Sequence, residues 1–130
     1  DLNCANFVSS VLLDTGEMAS LPGREEVAAI KSMCENGQNG YHIVSDPYKA
    51  QAGDIWYKKE NGYSHTELIV GVEGNQFRQI GSNNYGPSEA IGCQRNHSTD
   101  VKYSTNASQY QRITEHMRDI SFGGVVCSKR

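Results

Sequence analysis

A cysteine stands fourth in the chain, at the head of the apolar-periodic stretch "CANFVSSVLLDTG", and His65 stands near the head of another, "SHTELIVGV". A thiol in the first turn of a helix meets unpaired N–H groups and the positive end of the helix dipole. Both stabilise a thiolate and lower the thiol pKa. Cys4 is therefore a candidate nucleophile. The same position also suits a buried structural cysteine, since free cysteines are among the most buried residue types, or one half of a disulfide. A thiol nucleophile needs a base within hydrogen-bond reach and a third group to orient the base. Of the four histidines, His65 is the best placed. It follows a turn and begins the most apolar strand, where a polar side chain can look into a cleft while the core fixes its backbone. A structural histidine is the plain alternative. His97, in the polar stretch "CQRNHSTD", reads as a solvated surface residue, and His42 and His116 show no partner pattern.

The elements that must position these groups can be read from periodicity. Phe7, Val8, Val11 and Leu12 form one apolar stripe with Leu13 beside it, which predicts a helix over residues 4–14, capped by Asn3 and stopped at Gly16. "LPGREEVAAIKSMC" predicts a second helix, with turn residues Pro22 and Gly23, two acids in its first turn, and Val27, Ala28, Ile30 and Met33 inside. "ENGQNG" ends it. Strand signals follow in "YHIVS", "AGDIWYKK", "SHTELIVGV" and "FRQIGS", so residues 54–82 read as consecutive antiparallel strands joined by hairpins. Residues 83–108 are polar and weakly patterned, and read as surface loop. "QYQRITEHMRDIS" fits a short helix or a strand, and "FGGVVCSKR" a last strand. Helices first and a meander of strands after them make one α+β domain over residues 1–130, with N-terminal helices packed on an antiparallel sheet.

Composition narrows the partners. The 130 residues carry a net charge of -3, so no basic field draws the chain to nucleic acid or to an anionic membrane. No run approaches the roughly 18 apolar residues of a membrane span. No basic-then-apolar leader is present, and a start three residues before Cys4 suggests a mature or trimmed fragment. Cys4, Cys34, Cys93 and Cys127 lack the close pairing of a zinc knuckle or a redox motif. An even count allows two disulfides; if Cys4 is a working thiol, the other three permit one bridge plus one spare, with the connectivity open.

"CANFVSSVL", followed by "AGDIWYKKENGYSHTELIVGV", resembles the papain-like cysteine hydrolases of bacterial cell walls, the CHAP and NlpC/P60 families. The shared pattern is a cysteine opening a helix as C-x-x-[FY]-V, a G-D-[ILV] strand entry, and a histidine opening an apolar strand that ends in glycine. Cys4 with Phe7 and Val8, Gly53-Asp54-Ile55, and His65 with Leu68 through Gly71 match it in order. The closing "ISFGGVVCSK" also resembles the families' last strand.

The resemblance implies a papain-like fold and acyl transfer on an amide. His65 would take the proton of Cys4, the thiolate would attack the carbonyl, and water would release the acyl group. The backbone N–H of Cys4 would hold the oxyanion. CHAP enzymes commonly carry a Glu and an Asn on the strand after the histidine. Here Ser82 falls at the first place and Asn84 at the second, with Asn83 one residue out of register. Because a serine supplies no charge, the orienting group becomes Asn84 or Asn83, with Ser82 in support. Glu67 and Glu73 are substitutes, and Glu67, two residues from His65, shares its strand face and could line the cleft. Tyr63, Ser64 and Trp56 are candidate substrate contacts, although the first two read more simply as turn residues and Trp56 as core, with a substrate platform as its sharper alternative. Only Asp1 and Asn3 precede Cys4 as oxygen donors, so neither a calcium site nor any other metal or cofactor is expected. The implied function is a secreted or phage-released peptidoglycan hydrolase, a stem-peptide endopeptidase or an N-acetylmuramoyl-L-alanine amidase. It would act as a monomeric domain at the cell wall, with a separate wall-binding domain or subunit. The alternatives are a thiol protease or acyltransferase effector acting on protein amides, and a catalytically decayed wall-binding or phage structural module.

Overall fold

The computed structural model describes residues 3–82 and 113–130. Helix α1 spans Asn3–Asp14 and α2 spans Val27–Asn36. Six strands follow: β1 His42–Val44, β2 Ile55–Glu60, β3 Tyr63–Glu73, β4 Gln76–Gly81, β5 Thr114–Asp119 and β6 Val125–Ser128. All neighbouring strands are antiparallel, and the spatial order is β1-β6-β2-β3-β4-β5. The α+β expectation and the β2-β3-β4 hairpin run therefore hold. "QYQRITEHMRDIS", open between helix and strand, supplies strand β5. The expected loop over residues 83–108 lies outside the described residues.

Helix α1 is buried along its whole first half: Cys4 through Ser10 are all inaccessible or nearly so. Its polar residues find partners within that burial. Ser9 Oγ donates to Arg24 O at 3.0 Å, and Ser10 Oγ to Asn6 Oδ1 at 3.2 Å, as buried hydroxyls must. Gly16 ends the helix as expected. With φ +81° it takes the left-handed conformation, Glu17 N donates to Leu12 O and Gly16 N to Leu13 O, the paired bonds of a Schellman stop. Helix α2 begins one step later than its acids: Glu26 is the N-cap and makes no side-chain cap bond, so Glu25 and Glu26 precede the first turn instead of occupying it.

Two cores form because the sheet is covered on both faces. On one, α1 and α2 pack Phe7, Val8, Leu12, Val27, Ile30 and Met33 against Ile55, Tyr57 and Leu68. On the other, Trp56, Ile69, Phe77, Ile120 and Val126 form a smaller cluster. A disulfide between Cys34 of α2 and Cys127 of β6 ties the helical layer to the strand next to the β1 edge of the sheet, with Cα atoms 5.9 Å apart. It fixes the connectivity that spacing leaves open.

Candidate functional site

Strand alternation decides what the candidate residues can do together. Strand β3 pairs with β2 in unbroken register from Tyr63 to Leu68, so successive side chains point to opposite faces. Leu68 belongs to the helix-side core, the same cluster that contains Cys4. His65 and Glu67 therefore point to the opposite face, where His65 meets the ring of Trp56 edge-on at 6.2 Å. The structure does not bring Cys4 and His65 together; the sheet lies between them.

The sulfur of Cys4 is also engaged. Cys4 is fully buried in the first turn of α1 and is disulfide-bonded. Its partner lies outside the described residues, and no described cysteine is free. A disulfide sulfur has no proton to surrender and is not a thiolate, so in this oxidised state Cys4 cannot attack a carbonyl. The expected nucleophile is thus a bonded sulfur inside the helix-side core.

His65 instead joins a buried polar cluster centred on Glu67. Its Nε2 lies 3.2 Å from Glu67 Oε2. His116 Nε2 lies 2.8 and 2.9 Å from the two Glu67 oxygens, and Arg118 Nη2 donates to Oε2 at 3.0 Å. Arg118 Nε donates to Gln79 Oε1 at 2.9 Å. Facing a carboxylate, both imidazoles can only donate through Nε2–H, and the Arg118 guanidinium sets a full opposite charge beside Glu67. Burial alone would push the Glu67 carboxyl up. The hydrogen bonds from His116 and then His65, with their positive charge, outweigh it and hold the group well below the usual carboxylate range. The Arg118 guanidinium stacks 4.3 Å over Trp56 and 4.9 Å over Phe122, which spreads its charge over two aromatic faces. Gly81 leaves the room for this arrangement: a Cβ there would sit 2.7 Å from Glu67 Cγ and 3.0 Å from Oε1.

The remaining candidates fall out as follows. Glu67 does share the face of His65, but it is fully buried. Trp56 is core, as its simpler reading has it, with Nε1 donating to Gly123 O at 3.1 Å. It is not an accessible substrate platform. Tyr63 is half-buried, edge-on to Phe122 at 5.5 Å, and Ser64 is half-buried on the alternate face. Ser82 is buried directly after β4. Asn83 and Asn84 lie outside the described residues. His116, which shows no partner pattern in sequence, is a direct partner of Glu67. The signal that finds it is the period-two run of polar residues His116 and Arg118 on β5, facing Gln79 and Phe77 on β4. Among the described residues no group of three or more His, Cys, Asp or Glu side chains is arranged to hold a metal ion. Comparison with protein-family models, characterised proteins and solved structures finds no match to the chain.

Proposed function

We propose that the oxidised chain is a non-hydrolytic wall-binding module that works outside the cytoplasm, on a scaffold resembling the cell-wall amidases and endopeptidases. The observation that carries this reading is the engaged sulfur of Cys4. Acyl transfer needs a thiolate with a base beside it, whereas this sulfur is bonded and His65 turns to Glu67 on the far face. Disulfides at Cys4 and between Cys34 and Cys127 suit an oxidising compartment, where they form and persist. Peptidoglycan as the partner rests on the order of the cysteine, Gly-Asp and histidine motifs. The test is sedimentation with purified Gram-positive cell walls, run beside a turbidity assay without reductant. Co-sedimentation with unchanged turbidity is the expected result. Turbidity loss that disappears in Cys4→Ala overturns the proposal.

A second reading, an amide hydrolase of peptidoglycan, is favoured by where the motif residues sit. Cys4 is in the first turn of α1, Gly53 and Asp54 immediately precede β2, and His65 lies in the first turn-proximal part of β3. This reading requires reduction of Cys4 and a base on the helix-side face of the sheet. Mass spectrometry of muropeptides treated with the reduced chain tests it: cleavage lost in Cys4→Ala supports it, and intact muropeptides refute it. Intact muropeptides with a cleaved protein substrate would point to the protein-directed effector.

A further inference from the structure

We infer that the cavity between β1 and the loop entering β2 is a binding site for a small oxyanion, a carboxylate or a phosphate. The cavity, of about 420 Å³, is lined among others by His42, Ser45, Lys49, Asp54, Ser128 and Arg130. That volume lies in the range of small-ligand sites. It lies at the β1–β6–β2 side of the sheet, away from both Cys4 and the Glu67 cluster.

The argument is one of donors left over and acceptors used up. Asp54 is the carboxylate in the lining, and it is almost fully buried. Both of its oxygens are taken: Oδ1 accepts from Arg130 Nη2 at 2.6 Å, and Oδ2 from the backbone N–H of Gln51 at 2.8 Å. Arg130 is held further by Nη2 donating to Ala52 O at 2.7 Å and Nε donating to Gln51 Oε1 at 2.8 Å. The guanidinium is thus fixed in place while its Nη1 makes no hydrogen bond among the described residues. Lys49 Nζ likewise has no carboxylate or carbonyl partner among them. Lys49 closes a short turn whose start is capped by Asp46, which accepts from Tyr48 N at 3.1 Å, so its backbone is fixed too. Ser128 Oγ accepts from Arg130 N at 3.1 Å, which leaves its hydroxyl proton to donate. Two cations face one satisfied carboxylate, a local excess of positive charge on a chain whose net charge is -3. A preorganised arginine with a lysine and hydroxyl donors beside it recognises an anionic oxygen group. It has little to offer a cation or an apolar ligand.

Titration of the isotope-labelled chain with inorganic phosphate and, separately, with glutarate tests this. The amide signals of Lys49, Gly53 and Ser128 should shift in a saturable way, and the tighter of the two anions identifies phosphate or carboxylate as the natural group. Lys49→Gln should weaken binding roughly tenfold, as the loss of one charge-assisted hydrogen bond, while Lys49→Arg retains it. The exposed position of Lys49 keeps both variants folded. Equal shifts from chloride at matched ionic strength, shifts that do not saturate, or an unchanged affinity in Lys49→Gln would each overturn the assignment.

Discussion

Replacing Glu67 with glutamine keeps the side-chain shape and removes the charge on which His65, His116 and Arg118 converge. The amide leaves Arg118, 6% exposed, without its counter-charge, and it places a donor where three donors already point. Breaking a buried pair by neutralising one partner costs about 3–5 kcal/mol, far more than the pair contributes relative to an apolar replacement. The stacking of Arg118 on Trp56 and Phe122 softens the loss, so about 4 kcal/mol is expected. Unfolding entropy near 2.1 cal/mol/K per residue makes that a fall in Tm of about 15 °C for a chain of this length, readable by calorimetry. The pH dependence follows from the lowered carboxyl pKa of Glu67. Its stabilisation is fully present above the ordinary value of 4.5 and is lost as pH falls through the lower folded value. The gap between wild type and Glu67→Gln should therefore persist from neutral pH to about 4.5 and narrow only below it. A second variant, Arg118→Met, isolates the pair. The double variant should lie well above the sum of the two singles, with a coupling of about 2 kcal/mol. A loss under about 1 kcal/mol in Glu67→Gln, or additivity in the cycle, would refute the reading of this cluster as a coupled buried network.

Gly81→Ala should cost about 1–3 kcal/mol, because its Cβ would overlap Glu67 Cγ; a urea midpoint indistinguishable from wild type would show that the carboxylate chain can move aside. Opening the Cys34–Cys127 bridge with Cys34→Ala and Cys127→Ala releases a loop closed across 93 positions. The expected loss is about 4.6 kcal/mol in the chain-entropy view, measured by denaturant unfolding at equal pH. Tyr41, by burial and then the nearby Glu17, and Tyr57, by burial and then Glu35, have phenol pKa values pushed up to about 12. Ultraviolet titration should show two tyrosines ionising late. Since the raised value favours the protonated folded form, stability should fall as pH rises from 10 towards 12, and a midpoint constant across that window would contradict the burial of these phenols.

Much of the architecture is legible in the sequence because its signals are local. The apolar stripe and Gly16 define α1, and the "NGY" and "EGNQ" turns delimit the hairpins of β2, β3 and β4. The face on which His65 sits is not legible, and the reason lies in the run Leu68, Ile69. Both residues are buried, one in each core, so a strand covered on both sides shows a continuous apolar run and no alternation from which to assign inside and outside. Pairing His65 with Cys4 takes one of two equal parities, and the structure takes the other. The Glu67–His116 contact joins residues 49 apart in the chain and the disulfide joins residues 93 apart. Distances of that kind leave no mark in a short window. What the sequence does carry is the spacing of Glu67 from His65, which correctly puts both on one face.

The strand order has a consequence for the way the chain reaches this state. β6 is the last of the described elements in chain order, yet it lies between β1 and β2. Strand β1 has β6 as its sheet neighbour, so it has no ladder to join until the final segment arrives. The hairpins of β2, β3 and β4 can zip early from local turns, while the β1 side must wait for contacts that span most of the chain. Long-range pairings of this kind are slow to form because loop closure precedes any gain. Until then β2 presents a bare edge, open to pairing with another molecule. Cys34 and Cys127 are carried on the two parts that meet in this last step, so oxidation at that bridge reports that the sheet has closed.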